Sequence, residues 1–326
     1  MRDDVTCVNE SENKNPCRRP SSAGADELIG RYFPVLDHGF MALKDYMGED
    51  ASVADAARTS YQEGTRKMSD DAKLIKYLKQ HDHGTPFEFV QVKFHCQVPI
   101  FVARQWMRHR IGTFNELSGR YSVMPLLHYM PKRDHFTQQS TLNKQGRDGE
   151  VVARVDEYIT RLDQLRDMTD ELYRDMLEGG VARELARIDL PLSTYTNFYW
   201  TLNMRSLYNF MTLRCDSHAQ WETRQYANMA ASIVKHSFPV LFTEWYNHEF
   251  AAAKFSRQEL IYMKLTAGEF AEEYAAPDPN EHGLSEREIR ELCEKLNKKL
   301  VPPEDAFRLR VHKSLSAEEM TLRNKQ

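Results

Sequence analysis

The chain has 326 residues, of which 41% are hydrophobic and 28% charged, proportions typical of a soluble globular protein with a sizeable core. Its 44 lysines and arginines are outnumbered by 48 aspartates and glutamates, so the formal net charge is -4. Proteins dedicated to duplex DNA usually carry a strongly basic surface, and this balance argues against that class. The length predicts two domains, or one large domain with extensions.

Neither a membrane span nor a disulfide framework is expected. The longest stretch without a charged side chain, residues 190–204, is rich in Ser, Thr and Asn, and it is shorter than the roughly 20 apolar residues of a spanning helix. The N-terminus lacks the apolar segment of a secretory signal peptide. The five cysteines are far apart and show no CxxC or Cys/His spacing, which favours reduced thiols and a cytoplasmic location.

Composition divides the chain into three parts. Residues 1–30 contain no Phe, Tyr or Trp and are rich in Ser, Asn, Asp and Pro; such a segment buries too little apolar surface to offset its ordering entropy, so a flexible tail is predicted. Residues 31–250 carry most of the aromatic residues and all the motifs described below. Residues 251–326 are rich in charged residues and are predicted to form a mostly helical extension of unknown role.

The first half of the central part predicts a helix, a strand and a second helix. Residues 71–81 place three apolar residues on one helical face after a capping residue, Ser69 or Asp70. From Val90 to Ile100 apolar and polar residues alternate strictly, and this period of two predicts a strand with one buried face. Pro99 ends the strand and is suited to open a helix that continues through residue 108.

The second half predicts three more helices. Residues 150–178 show a long apolar stripe that ends at Gly179-Gly180. Residues 203–213 and 218–235 follow, and Ser217 with Gln220 forms a possible capping box for the second of them. The motifs GxGxxG and GxxxxGK[ST] are both missing from the sequence. Several helices with a strand or two therefore predict an α+β fold rather than a doubly wound nucleotide-binding domain.

The densest polar cluster lies at residues 108–121, where three arginines accompany a histidine, a glutamate, an asparagine and a serine. Arginine forks suit phosphate and the carbonyl edge of a base. Ser118-Gly119-Arg120 supplies a hydroxyl, an accessible backbone N–H and a guanidinium, which together could form a phosphate-binding nest. A solvated charged loop held by ion pairs is the structural alternative for this segment.

Two further clusters give weaker evidence of a functional site when judged on composition alone. In residues 203–214, Arg205 and Asn209 are spaced i, i+4 and share a helical face, but an ordinary amphipathic helix explains the same pattern. His81 and His83 precede the long strand, yet their spacing matches no strong metal signature. Ser60 ends an early helix, where the alternative role is a plain cap.

Five blocks of the sequence resemble one known family, the flavin-dependent thymidylate synthases (the ThyX family). Arg108-His109-Arg110, seven residues and then Ser118 resemble the family's RHRx7S signature. The wider resemblance covers residues 35–250, and its blocks fall in the family's order. They are HGTPFEF at 83–89, PIFVARQWMRHR at 99–110, NELSGRY at 115–121, ARIDLPLSTYTNFYWTLNMRSLYNF at 186–210 and LRCDSHAQWETRQYA at 213–227.

This resemblance implies a reductive methylation of dUMP to dTMP. Methylenetetrahydrofolate would give the carbon, FAD would carry the hydride, and NADPH would reduce the flavin. The implied ThyX-like fold packs mixed helices around a small, mainly antiparallel sheet. The implied assembly is a homotetramer with sites at the subunit junctions, and neither nucleic acid nor membrane is an expected partner.

The resemblance also implies two sets of binding residues and one catalytic residue. FAD is expected to be bound by Ser60, His83, Thr85, Glu88, Arg108, His109, Arg110, Glu116, Asn203, Arg205 and Asn209. dUMP is expected to be bound by Gln105, Trp106, Met107, Arg108, Glu116, Leu117, Ser118, Gly119, Arg120, Arg187 and Arg214. Arg214 matches the family arginine that polarises the pyrimidine and favours ionisation at N3, so it is the implied catalytic residue. No metal is expected.

Two alternatives remain open at this point. Cys215 is the one cysteine inside a polar motif, and it neighbours Arg214, whose charge would lower the pKa of the thiol. The rival enzyme is therefore a thymidylate synthase with a cysteine nucleophile. The alternative is that Cys215 is simply a small core residue. A non-enzymatic nucleic-acid-binding protein could use the basic cluster at 104–120. The net charge and the lack of an RRM, KH or zinc-finger pattern argue against it.

Overall fold

Helices pack against both faces of a five-stranded antiparallel sheet in the computed structural model, which describes residues 19–60, 70–142, 144–259 and 315–324. The α+β class with a small antiparallel sheet is therefore confirmed. The sheet has the order β1-β2-β3-β7-β4, and a two-stranded hairpin, β5-β6, stands apart. The strands are β1 (Phe33–Val35), β2 (Gly39–Met47), β3 (Gln91–Pro99), β4 (Thr113–Glu116), β5 (Thr137–Gln139), β6 (Arg147–Val151) and β7 (Tyr195–Asn203).

Ten α-helices lie in the described part of the chain. They are α1 (Ala23–Leu28), α2 (Asp50–Arg58), α3 (Asp71–Gln80), α4 (Ile100–Trp106), α5 (Val155–Glu178), α6 (Arg183–Ala186), α7 (Met204–Arg214), α8 (Trp221–Ser237), α9 (Pro239–Trp245) and α10 (Ala317–Arg323). A 3-10 segment, Thr85–Phe89, precedes β3, another spans Arg133–His135, and a π-helical turn, Tyr246–Phe250, follows α9. None of the described helices is long and apolar enough to cross a membrane.

The central pair β3 and β7 fixes where the functional helices begin. Its register runs from Gln91 opposite Asn203 to Pro99 opposite Tyr195. Because the strands are antiparallel, α4 starts at one end of the sheet and α7 at the other. The segment before β3 lies at the same end as the start of α7, and the amide of Met204 donates to the carbonyl of Val90 at 2.8 Å.

The alternation predicted for β3 is confirmed by burial. Val92, Phe94, Cys96 and Val98 are at most 1% exposed and face the helices. They join a core in which the centroid of the Trp106 ring lies 5.2 Å from that of Trp200 and 4.8 Å from that of Phe210. This aromatic packing ties α4 and α7 to the sheet from both of its ends.

Most predicted elements are present, with shifts that have local causes. α3 has the Asp70 N-cap, whose side chain accepts from the Lys73 amide at 3.2 Å. The long helix begins at Val155 rather than at residue 150, because residues 147–151 pair with β5 and Gly149 adopts a positive φ of 77°. The predicted capping box of α8 is wrong: Gln220 is the N-cap residue and makes no capping hydrogen bond.

Helix α5 buries polar as well as apolar side chains. Arg166, Asp170 and Tyr173 are at most 9% exposed, whereas Leu165 and Leu172 of the expected apolar face are 52% and 43% exposed. Asp170 Oδ1 lies 2.8 Å from His128 Nε2, within hydrogen-bond distance. Arg166 Nη2 donates to the carbonyl of Tyr129 at 2.7 Å. Of the expected apolar stripe, Val155 is buried, Ile159 and Leu162 are partly buried, and Leu165 and Leu172 are exposed within one chain.

Both terminal parts contain ordered elements among the described residues. The expected N-terminal tail is wrong for α1, because Ala25 and Leu28 are fully buried in the core; residues 1–18 lie outside the described residues. In the expected C-terminal extension, Leu315 forms an isolated bridge with Tyr32, and Met320 of α10 is buried in a cluster with Tyr32, Phe40 and Ala42. Residues 260–314 of that extension also lie outside the described part.

Candidate functional site

The expected site residues fall into three groups, each held by its own contacts. One group surrounds the start of α7, a second surrounds its end, and a third surrounds α6. The first contains most of the residues expected to bind the cofactor. Asn203 is the N-cap of α7, and its side-chain oxygen accepts from the Ser206 amide at 2.9 Å.

An ion pair joins α7 to the 3-10 segment in this first group. Arg205 Nη1 donates to Glu88 Oε1 at 2.7 Å. The arginine lies directly over Gly84, because a Cβ at that glycine would come within 2.6 Å of Arg205 Nε. A larger residue at position 84 would therefore displace the Arg205 side chain from its present place, whereas the backbone conformation there sets no requirement for glycine. Both charged side chains keep substantial solvent exposure, 59% and 39%, so they remain accessible to a ligand.

The remaining members of the first group present their side chains to solvent. His83, Thr85 and Asn209 are exposed, and Asn209 follows Arg205 by one helical turn on α7. Ser60 is exposed just beyond α2, a helix that packs against the 3-10 segment. Amides, a hydroxyl and a guanidinium at a helix N-terminus form a donor set that suits a diphosphate, and the Glu88 carboxylate can accept from ribose hydroxyls. The residues present therefore fit a dinucleotide cofactor.

The second group is built around Arg214, the last residue of α7. Its Nε donates to His109 Nε2 at 2.9 Å, and its Nη2 donates to the carbonyl of Gln105 at 3.3 Å. The side chain is half-buried, and burial lowers the pKa of the guanidinium from its ordinary value. Arg214 forms no ion pair with any of the described residues. An arginine stays charged under these conditions, so its charge is partly desolvated and uncompensated.

His109 must be neutral to accept this hydrogen bond. Burial, followed by the neighbouring charge of Arg214, lowers the pKa of His109 from 6.5 to about 4. Because Nε2 is the acceptor, the ring proton lies on Nδ1. The imidazole also packs edge-on against Phe210 at 5.0 Å between ring centroids. His109 thus contacts Arg214, the expected catalytic arginine, and its expected contact with the cofactor stays a prediction.

The neighbouring cysteine does not have the properties of a nucleophile. Cys215 is 6% exposed, and burial raises the pKa of its thiol far above the ordinary value. The thiolate is the reactive form of cysteine, so this environment suppresses it. Cys215 and Cys96 are both free and buried, and the plain reading of Cys215 as a core residue is favoured.

The third group brings together Ser118, Gly119, Arg120 and Arg187. A Cβ at Gly119 would lie 2.9 Å from Arg187 Cδ, so this glycine lets the second arginine pack against the turn. The Arg120 amide donates to Ser118 Oγ at 3.3 Å, and the Arg120 guanidinium pairs with Glu184 at 3.2 Å. An incoming phosphate would have to displace both of these internal partners.

The other predicted residues differ in how accessible they are. Arg108 and Arg110 are exposed. Glu116 accepts from the Thr196 hydroxyl at 2.7 Å. Trp106 is fully buried, so its indole faces the core and only its backbone is placed to meet a nucleotide. Met107 and Leu117 likewise pack against apolar clusters. The expected contacts of Trp106, Met107 and Leu117 with dUMP therefore stay predictions, and they would involve backbone atoms.

No group of residues that could hold a metal ion occurs in the described ranges. His81 and His83 instead lie beside the Tyr77 ring, with centroids 4.4 and 6.1 Å away. The sequence alone did not predict the ion pair between Glu184 and Arg120, because ion-pair partners are set by folding. The position of Glu184 in the short helix α6, near Arg187, was the only available hint.

Comparison with known proteins gives a consistent identification. Residues 42–240 match the family model described as thymidylate synthase complementing protein. The flavin-dependent thymidylate synthase of Ehrlichia ruminantium (strain Gardel) is 43% identical to this chain over 273 residues, which cover 83% of this chain and 90% of that protein. The one from Thermus thermophilus (strain ATCC 27634) is 42% identical over 263 residues, covering 81% of this chain and 95% of that protein.

A solved structure agrees with the sequence relatives. The UMP/dUMP methylase PolB from Streptomyces cacaoi, bound with 5-Br dUMP, is similar with a TM-score of 0.59 and 28% identity, over 67% of this chain and 99% of that chain. Taken with the family model and the curated relatives, these likenesses place the chain in the family of flavin-dependent thymidylate synthases.

Proposed function

We propose that this enzyme converts dUMP to dTMP by flavin-dependent reductive methylation, with Arg214 as the residue that activates the pyrimidine. The observation that carries the proposal is the environment of Arg214. Its guanidinium is half-buried and is held by a neutral imidazole and a backbone carbonyl rather than by a carboxylate. Such a charge is positioned in advance to stabilise an anion.

The chemistry of uracil requires a charge of this kind. Accepting a one-carbon unit at C5 needs electron density on that carbon, and a cation at the O4/N3 edge stabilises the enolate-like form. The contribution is large where water is excluded and where no internal anion competes. Arginine does not exchange protons at a working pH, so Arg214 acts as an electrostatic stabiliser rather than as a general acid.

The first group of site residues is proposed to hold FAD. Arg205 and the start of α7 suit its diphosphate, and Glu88, Thr85, His83 and the amides of Asn203 and Asn209 offer polar contacts around it. When bound, the flavin supplies the hydride chemistry. NADPH is the proposed reductant and methylenetetrahydrofolate the proposed carbon donor. We also propose that the enzyme acts in the cytoplasm, in keeping with its free buried thiols Cys96 and Cys215.

The third group is proposed to hold the dUMP phosphate. Ser118, Gly119, Arg120 and Arg187 combine a hydroxyl, two backbone amides and two guanidinium groups around one turn. Arg120 is 58% exposed, so its pairing with Glu184 is readily exchanged for a phosphate. Base and phosphate would then be recognised by different parts of the fold.

A homotetramer is proposed because each chain carries an unpartnered apolar face. On α5, Leu165 and Met168 are more than half exposed, as is Leu185 on α6 at 57%. Contiguous exposed apolar residues of this kind mark protein–protein contact surfaces. Association through α5 and α6 would also bring the phosphate group of one chain, which lies at α6, toward another subunit.

The decisive experiment for the function is anaerobic turnover. Purified protein is incubated with dUMP, methylenetetrahydrofolate, NADPH and FAD, and dTMP is measured by chromatography. We expect dTMP to form only when all four compounds are present. We also expect the reconstituted protein to absorb near 450 nm, as flavoproteins do. A colourless protein that cannot be reconstituted, or turnover without flavin, would contradict the proposal.

The assembly is tested by a charge placed on the apolar face. Met168→Glu is expected to reduce the mass measured by light scattering from that of four chains to a smaller species. Leu142→Glu is the matched control, because Leu142 is 81% exposed and lies away from α5. A fully active wild-type monomer would refute the tetramer and leave the activity proposal standing.

A further inference from the structure

A chain of hydrogen bonds leads from the hairpin β5-β6 to the uracil end of the proposed site. Arg147, at the start of β6, reaches out of the hairpin, and its Nη2 donates to Glu222 Oε1 at 2.8 Å. Glu222 lies in the first turn of α8, and its side chain is 1% exposed. The hairpin strands themselves are largely exposed. Arg147 is therefore the point at which an otherwise peripheral hairpin touches the buried interior.

Glu222 collects donors from three elements. Besides Arg147, the Tyr129 hydroxyl donates to Oε1 at 3.0 Å, and the side-chain amide of Gln220 donates to Oε2 at 3.0 Å. Burial opposes ionisation, but the hydrogen bond and charge of Arg147 outweigh it and lower the pKa of the Glu222 carboxyl. The group is thus an anion at neutral pH, and an ionised carboxylate can only accept hydrogen bonds.

This restriction determines how the next two side chains are oriented. Because Glu222 only accepts, Gln220 must turn its NH2 group toward Glu222 and its oxygen toward Gln105. Gln105 Nε2 donates to that oxygen, which leaves Gln105 Oε1 on the side of the Thr223 hydroxyl, 3.5 Å away. The charge on Glu222 therefore sets the direction of two successive amides.

The last member of the chain contacts the arginine of the proposed site. The backbone carbonyl of Gln105 accepts from Arg214 Nη2 at 3.3 Å. Gln105 is itself among the residues expected to bind dUMP. Its side chain and main chain are thus both placed where they affect the uracil end.

We propose that Arg147 and Glu222 are positioning residues, which act through Gln220 to fix the amide of Gln105 at the uracil end of the site. This inference rests on the proposed function, since it assumes that Gln105 and Arg214 meet dUMP. It assigns to the hairpin β5-β6 a role in substrate binding, although the hairpin lies outside every motif of the family signature.

The test compares dUMP binding and turnover in four single variants, to which Arg147→Lys and one double variant are then added. Glu222→Gln keeps the size of the side chain but removes the charge that orients the amides, and Arg147→Met removes the donor. Gln220→Leu interrupts the chain at an exposed position, where folding is not threatened. Arg133→Met is the matched control, because Arg133 forms only a solvent-exposed pair with Asp156 at 3.0 Å. Flavin content and thermal midpoint are measured for each.

We expect the three variants of the chain to raise the dUMP dissociation constant and KM about 10-fold, the lower end of what losing a supporting partner costs at other sites. Arg133→Met should leave both unchanged. Arg147→Lys should recover part of the loss, because it restores one donor. In the Gln220→Leu background, adding Arg147→Met should cause no further loss of affinity, since the connection is already broken.

Three outcomes separate the possibilities. Unchanged dUMP affinity in Glu222→Gln and Gln220→Leu would overturn this inference alone. Additive losses in the Arg147→Met, Gln220→Leu double variant would also overturn it, because Arg147 would then act by another route. A wild-type protein that does not bind dUMP would overturn the proposed function, and this inference with it.

Discussion

The two arginines expected to contact opposite ends of the nucleotide lie in contrasting environments. Arg214 is half-buried between His109 and the Gln105 carbonyl, with no carboxylate partner among the described residues. Arg120 is 58% exposed and already paired with Glu184. A ligand anion at Arg120 replaces one compensated, solvent-screened interaction by another. An anion at Arg214 would meet a charge without a carboxylate partner among the described residues, so the contrast supports the proposed roles of Arg120 in binding and of Arg214 in chemistry.

The largest effect is expected from removing the uncompensated charge. Arg214→Ala should lower the rate of dTMP formation at saturating dUMP by about 10²–10³, as for other preorganised electrostatic contacts. Arg214→Lys should recover only part of the rate, because an ammonium lacks the planar fork. The measurement is turnover with flavin content matched between variants.

Cys215→Ala is the matched control for that experiment, since the two positions are adjacent. The thiol is buried and its raised pKa suppresses the thiolate, so turnover should change little. An active Arg214→Ala enzyme beside an inactive Cys215→Ala enzyme would reverse the assignment. It would establish the cysteine mechanism instead.

A smaller effect, on binding alone, is expected at the exposed arginine. Arg120→Ala should weaken dUMP binding by about 2 kcal/mol, or roughly 30-fold, the range for a hydrogen bond to a charged group. The rate at saturating dUMP should be nearly unchanged. Calorimetric titration with dUMP measures the loss. Glu184→Gln removes the internal competitor and should tighten dUMP binding slightly; weaker binding in that variant would contradict the exchange of partners.

The smallest effect concerns the pH dependence of stability. His109 has a pKa of about 4 in the folded chain and 6.5 ordinarily, so between these values the unfolded chain binds more protons. Stability should therefore fall as the pH drops below 6.5, by on the order of 1 kcal/mol from pH 8 to pH 5.5. His109→Gln, which can still accept from Arg214 but does not titrate, should lose less. Denaturant unfolding at the two pH values tests this, and equal losses in both proteins would exclude His109 as the cause.

Local patterns in the sequence predicted the elements that are stabilised by their own side chains. The strict alternation in β3 and the capped apolar face of α3 depend only on neighbouring residues, and both are present. The hairpin β5-β6 was missed because its short strands are mostly exposed and polar, so no period of two can appear. Helix α1 was missed because its composition resembles a tail, although long-range packing buries Ala25 and Leu28.

The site shows the same division. Arg214, Arg120 and Arg205 were identified from motifs, because residue type and spacing are visible in a sequence. The neutral state of His109 was not, since it depends on burial and on the nearby guanidinium. The side chain of Gln220 was assigned to a capping box with Ser217 that does not form, because it instead meets Gln105, which lies 115 positions earlier. Such pairings become visible only once the chain is folded.

The contacts of α10 impose an order on folding during synthesis. Arg323 donates to the carbonyl of Leu36 across a sequence separation of 287 residues and also to that of Asp37. The ribosome must therefore extend the nascent chain past residue 323 before this part can close over β1. Until then β1 is an open edge strand, the kind of surface on which nascent chains associate wrongly. The last helix thus completes the protection of one of the first strands.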